Sequence, residues 1–153
     1  MNRSAPAWIH DAMDHVLQVT RQGIDLGQSP FGAGVFDDGG GLIELGHNEV
    51  KRTSDPTAHA EVVVIRNVST RLGRRLPPGL WLISSCEPCP MCAGAIGFAG
   101  IRNVAFGATV DDAYRAGFED LQLPSKRVFD TLPGMNVYSQ VRQPECAELL
   151  RRR

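Results

Sequence analysis

Between residues 84 and 101 the chain reads SSCEPCPMCAGAIGFAGI. A polar turn carries Cys86, Cys89 and Cys92, and an apolar run of mostly small side chains follows it. Cys89 and Cys92 are three apart, so on a helix their thiols leave nearly the same side. Pro88 stands just before them, and the amides left open where a helix starts favour thiolate over thiol. Ala93, Gly94, Ala95 and Gly97 keep the helix thin enough to pack closely against another element. A short apolar strand at 80–84 leads into the turn, and another at 101–107 follows the helix. Strands alternating with helices predict an α/β sheet with helices on its faces, and ligands on such sheets gather beyond strand ends.

The rest of the chain fits that frame. Over residues 7–27, Ile9, Met13, Val16, Leu17, Thr20 and Ile24 recur at intervals of three and four, which predicts a helix with one buried stripe. Gly27 and Pro30 stop it, and His10 and His15 read as surface residues of this helix. Residues 31–36 and 42–46 read as the arms of a hairpin around DDGGG. Gly32 and Gly34 inside the first arm point to a close approach to the backbone. Phe31, at its head, reads either as core or as a wall on which a flat ligand stacks. Asp55 is a good cap and Pro56 a good first residue for a helix that continues through Val62, Ile65 and Leu72. His59 and Glu61 then fall in its opening turns, about 200° apart around the axis. After Gly107 the chain is less regular, with a strand at 137–141 and a short last helix from Pro144.

Length and charge narrow the classes. At 153 residues the chain reads as one domain over 1–153, able to bury about 70% of its unfolded surface. Sixteen basic and seventeen acidic residues leave a net charge of −1, so a general phosphate-backbone binder is not expected and no nucleic-acid partner is predicted. The longest apolar run, at 91–101, falls short of the ~20 residues of a membrane span. No signal-like segment opens the chain, and clustered cysteines suit a reducing compartment, so a cytoplasmic protein is expected.

His59 and the cysteines form one constellation. One imidazole and two thiolates suit zinc and leave a fourth position for water. Three readings stand on the residues alone. Cys86, Cys89 and Cys92 form C-x-x-C-x-x-C, the opening of an iron–sulfur run, but the fourth cysteine is missing there and His59 is left unused. A structural zinc on all three cysteines and His59 would close the coordination shell. The third reading joins His59-x-Glu61 to Pro88-Cys89-x-x-Cys92, the signature of zinc nucleobase deaminases, and leaves Cys86 as a buried structural residue. Its chemistry accounts for each residue type. Bound zinc brings the pKa of a water toward ~7, and Glu61 moves that water's proton to a ring nitrogen and then to the departing amine.

Carrying these motifs, the chain resembles the cytidine-deaminase-like zinc deaminase superfamily, and most of all bacterial guanine deaminases. The resemblance rests on PFGA at 30–33, GHNEV at 46–50, DPTAHAEVVVIRN at 55–67, SCEPCPMCAGAI at 85–96 and DDAYRAGFED at 111–120. It implies a three-layer α/β/α sandwich around a five-stranded mixed sheet, one zinc ion per chain and a homodimer. It also implies His59, Cys89 and Cys92 as zinc ligands, Glu61 as proton shuttle and Asp120 as a second acid. Asn48 and the Ala60 backbone would meet the purine edge, Phe31 would flank the ring, and Phe98 would supply an aromatic wall. Guanine is the implied substrate, because tRNA adenosine deaminases and cytosine deaminases are not expected to carry AGFED. In one respect the chain departs from the pattern. The similar enzymes close the site with a C-terminal aromatic residue, and here none follows Tyr138. Either residues 114–130 build the lid, or the substrate is a larger nucleoside or another amino-heterocycle.

Overall fold

One strand lies at the centre, buried on both faces. β3 (Trp81–Cys86) has no exposed residue, and its side chains alternate between two cores: Trp81 and Ile83 enter one, Leu82 the other. A strand covered on both sides reads as an unbroken apolar run, as LWLIS does. The computed structural model describes residues 4–119 and 122–152. The sheet also contains β1 (Gly32–Phe36), β2 (Leu42–His47), β4 (Asn103–Ala108) and β5 (Asn136–Tyr138), in the order β2-β1-β3-β4-β5. β1 is antiparallel to both its neighbours, whereas β3, β4 and β5 run parallel, so the sheet is mixed as expected.

The helices are α1 (Ile9–Asp25), α2 (Val50–Thr53), α3 (Ala60–Leu72), α4 (Pro90–Phe98), α5 (Val110–Arg115), α6 (Ser125–Phe129) and α7 (Gln143–Leu150). α1 and α7 cover one face of the sheet; α3, α4 and α6 cover the other. This is the three-layer sandwich. The α1 stripe is the predicted one, with Ile9, Met13, Val16 and Leu17 at most 1% exposed. Each such burial contributes about 1.5–3 kcal/mol. The close approach foreseen at Gly32 comes from Thr20, whose hydroxyl donates to the Val16 carbonyl at 2.7 Å and occupies the space a Cβ would need. The Gly32 amide donates to Ser85 Oγ at 3.0 Å, tying the hairpin to β3.

Three expectations shift. The 47–57 loop contains a one-turn helix, α2. The last strand ends at Tyr138 and not at 141, because Gln140 and Arg142 take positive φ values of 61° and 53° and turn the chain out of the sheet. The helix after Asp55 starts at Ala60. Asp55 Oδ1 accepts from the Thr57 amide at 2.8 Å and hydroxyl at 2.7 Å, so its side chain closes a local turn and caps no helix.

Candidate metal centre and substrate pocket

That late start determines where the imidazole points. His59 is the residue before α3, with extended φ −65° and ψ 155°. Cys89 occupies the same place before α4, with φ −67° and ψ 168°, and Pro90 fills the first helical position. Two helix N-termini therefore present their flanking residues to one point, and Cys92 adds a second thiol from the first turn of α4. His59 Nδ1 lies 3.6 Å from each of the two sulfurs. Tetrahedral zinc, with ordinary nitrogen and sulfur bond lengths, requires an N···S separation of about 3.6 Å. The donor set and its spacing thus fit zinc with one coordination position to spare. Cys86 stands outside the group, since among the described residues only His59, Cys89 and Cys92 bring their donor atoms within 4.8 Å of one another. Its sulfur reaches instead toward the Thr109 carbonyl at 4.0 Å, and burial pushes its thiol well above the ordinary range. None of the four cysteines is in a disulfide.

The two ligand thiols are electrostatically coupled. Contact with the Cys92 thiol, and then with His59, pulls the Cys89 thiol down despite its partial burial. The same contact, seen from Cys92, pushes that thiol up. Glu61 sits in the first turn of α3 and is only 7% exposed. Burial first, and the nearby Cys89 second, raise its carboxyl above the ordinary carboxylate value. A carboxyl so placed exchanges protons more readily near neutrality than a solvated one does.

A cavity of about 350 Å³ opens over these groups, lined by Phe31, Asn48, His59, Glu61, Cys89 and Phe118 among others. Asn48 is 5% exposed, and its Oδ1 accepts from the Val50 amide at 3.1 Å. That bond fixes the carboxamide and leaves its NH₂ as the end available to a ligand. Ala60 is fully buried at the first position of α3, where a helix leaves its amides without internal partners. Phe31 and Phe118 meet edge to face, with centroids 4.9 Å apart and planes at 75°.

Phe98, expected as an aromatic wall, is 94% exposed in the single chain and is not among the residues lining this cavity. α4 aims its N-terminus at the metal cluster and Phe98 closes its far end, about 13 Å away along the axis at 1.5 Å per residue. The second aromatic of the pocket is Phe118. The glycine before it is the one local hint the sequence carries: in the structure Gly117 follows α5 and takes φ 97°. Around it the Gly117 amide donates to the Tyr114 carbonyl and the Phe118 amide to the Ala113 carbonyl, both at 2.9 Å. This double bond pattern ends α5 and folds Phe118 back over the pocket. Phe118 lies inside the 114–130 stretch expected to build a lid. Asp120 lies outside the described residues.

Residues 6–108 match the cytidine and deoxycytidylate deaminase zinc-binding region. A guanine deaminase of Bacillus subtilis is 45% identical over 100 residues, covering 65% of this chain and 64% of that protein. The tRNA-specific adenosine deaminase of Agrobacterium fabrum is 36% identical over 139 residues, covering 91% and 89%. In three dimensions, the solved guanine deaminase of Nitrosomonas europaea superposes with a TM-score of 0.84 at 28% identity, over 99% of this chain and 85% of that one. The aligned zinc-binding region contains the very residues that the fold brings together, and the chain belongs to the cytidine and deoxycytidylate deaminase zinc-binding family.

Proposed function

We propose that this chain hydrolyses the exocyclic amine of a free purine base, converting guanine and water to xanthine and ammonia. The carrying observation is the pocket itself: the Phe31–Phe118 ring pair lines the same cavity as a buried Glu61 and the His59 and Cys89 members of the His59–Cys89–Cys92 cluster. Zinc held by those three residues supplies an acidified, oriented water. Glu61 takes a proton from the attacking water and delivers it to the ring nitrogen beside the attacked carbon. It then takes the remaining proton from the newly added hydroxyl and gives it to the amine, so the carbonyl forms as the C–N bond breaks and the amine departs as ammonia rather than as the poor leaving group amide ion. Asn48 and the Ala60 amide bind the purine edge, and Phe31 and Phe118 hold the ring plane. Asp120, two residues beyond Phe118, is the second acid. Solved neighbours of this chain in complex with 8-azaguanine and 2,6-diaminopurine support a purine-sized ligand.

A second reading, deamination of adenosine within a tRNA, is favoured by the similarity to the Agrobacterium fabrum protein across 91% of this chain. Against it stand the net charge of −1 and the AGFE segment at 116–119. Ultraviolet assays of the zinc-loaded protein on guanine, guanosine and a tRNA anticodon stem-loop decide between them. Turnover of guanine supports the first reading; turnover of the stem-loop alone replaces it with the second.

A second copy of this chain covers the outward face of α4 in this reading. α4 is apolar along its whole length, which suits a helix buried all round. Phe98 nevertheless projects into solvent, and space is open around Gly94. Light scattering on Phe98→Asp tests this: a dimer in the parent and a monomer in the variant are expected. A monomeric parent removes the proposal.

A further inference from the structure

Glu87 connects the metal turn to the substrate wall. It lies between β3 and α4, two residues before Cys89, and its amide donates to the Ala108 carbonyl at 2.8 Å. Its carboxylate accepts three hydrogen bonds from two other segments. Oε1 takes the Val110 amide at 2.9 Å, and Oε2 takes the Ser125 amide and hydroxyl, each at 2.8 Å. Val110 and Ser125 are the first residues of α5 and α6, positions whose amides have no partner inside their own helix. The residue before α6 is Pro124, which offers no side-chain cap. One half-buried anion therefore satisfies the starts of two helices, and charge-assisted bonds of this length are the strong kind.

The consequence reaches the pocket. α5 begins on Glu87, and Val110, Ala113 and Phe118 all line the cavity. The Phe118 amide is bonded to Ala113, so the ring moves with the helix. We propose that Glu87 is a positioning residue: it fixes the distance between the Cys89 turn and the Val110–Phe118 wall, and so sets the width of the slot that admits the purine ring. Glu87 borders the same cavity, but its carboxylate is engaged by Val110 and Ser125, and in this role it acts through α5 and α6. The inference rests on the purine reading above for its substrate and on the hydrogen bonds alone for its geometry.

The test combines Glu87→Gln with a readout independent of turnover. A carboxamide keeps one acceptor and turns an NH₂ toward one helix start, so at least one helix is released. Expected in Glu87→Gln are an unchanged zinc content, faster amide exchange across residues 110–118 with α3 unaffected, and a KM for guanine raised about tenfold with kcat within about threefold. A merely structural role would lower the active fraction, and hence kcat, and leave KM alone. Ser125→Ala removes one of the three bonds and retains the carboxylate; KM rises about two- to threefold. It decides the question alone if Glu87→Gln does not fold, and an unchanged KM then overturns the proposal. Unchanged exchange and KM in Glu87→Gln, or loss of zinc at unchanged KM, also overturn it. If the parent fails to turn over guanine while exchange at 110–118 still rises in Glu87→Gln, the positioning role stands and the choice of substrate falls.

Discussion

Replacing Phe118 by alanine tests the pocket at the place where structure and sequence disagreed. The ring packs edge to face on Phe31 at 4.9 Å, and such pairs contribute about 0.5–1.5 kcal/mol beyond the area they bury. Stacking of a base on an aromatic side chain contributes about 1–3 kcal/mol. Part of the first quantity belongs to the free protein and not to binding, so the loss in substrate affinity is about 1–2 kcal/mol. At 1.4 kcal/mol per factor of ten, this is a rise in KM of roughly 5- to 30-fold. kcat changes little, because Glu61 and the His59–Cys89–Cys92 cluster approach from α3 and α4 and do not depend on the ring. Steady-state kinetics on guanine, followed by its ultraviolet change on conversion to xanthine, read both parameters. Leu72→Ala is the control, since that side chain ends α3, is 47% exposed and lies outside the cavity. An unchanged KM in Phe118→Ala would refute the assignment, as would an equal rise in Leu72→Ala.

Other outcomes follow from the same geometry. Glu61→Gln retains zinc by metal analysis and loses at least about a thousandfold in kcat, because one group performs successive proton transfers each worth 10²–10⁴; near-parental turnover would discard the mechanism. Gly117→Ala places a side chain at φ 97° and costs about 1–2 kcal/mol of stability, read as a lowered Tm, with a raised KM as Phe118 is displaced. The Asp112 carboxyl is pulled up by partial burial, but the Thr109 amide, Gln143 and the Thr109 hydroxyl outweigh this and leave it below its ordinary value. Because the folded value is depressed, its stabilisation is complete above the unfolded value and is lost as pH falls through the folded one. Asp112→Asn therefore costs about 1 kcal/mol in denaturant unfolding at neutral pH and nothing below both values. An equal cost at both pH values would contradict the capping role.

The framework was legible because its patterns are local and periodic. The α1 stripe repeats at helical spacing, and LWLIS announces a strand buried on both faces. The ligand cluster was legible because zinc chemistry demands particular residue types, and the short Cys89–Cys92 spacing brings two of them together by itself. What escaped the sequence depends on single side chains in competition. Asp55 looked like a helix cap, yet its side chain closes a turn on Thr57, which moves the helix start to Ala60 and frees His59 from the helical frame. Phe98 and Phe118 are equally aromatic in the sequence, and only the direction of α4 and the positive φ of Gly117 decide which one faces the cavity. Glu87 gave no signal at all. Its partners, Val110 and Ser125, are 23 and 38 residues away, and no periodicity links them.

The most direct measurement of the central claim is a joint titration of metal and product. Protein stripped of metal and reloaded with zinc is given guanine, and zinc per chain, xanthine and ammonia are measured together. The account predicts activity that rises in proportion to zinc and saturates at one ion per chain, with xanthine and ammonia released in equal amounts. Saturation with zinc at one ion per chain, with no ammonia from guanine or any other purine base, would contradict it.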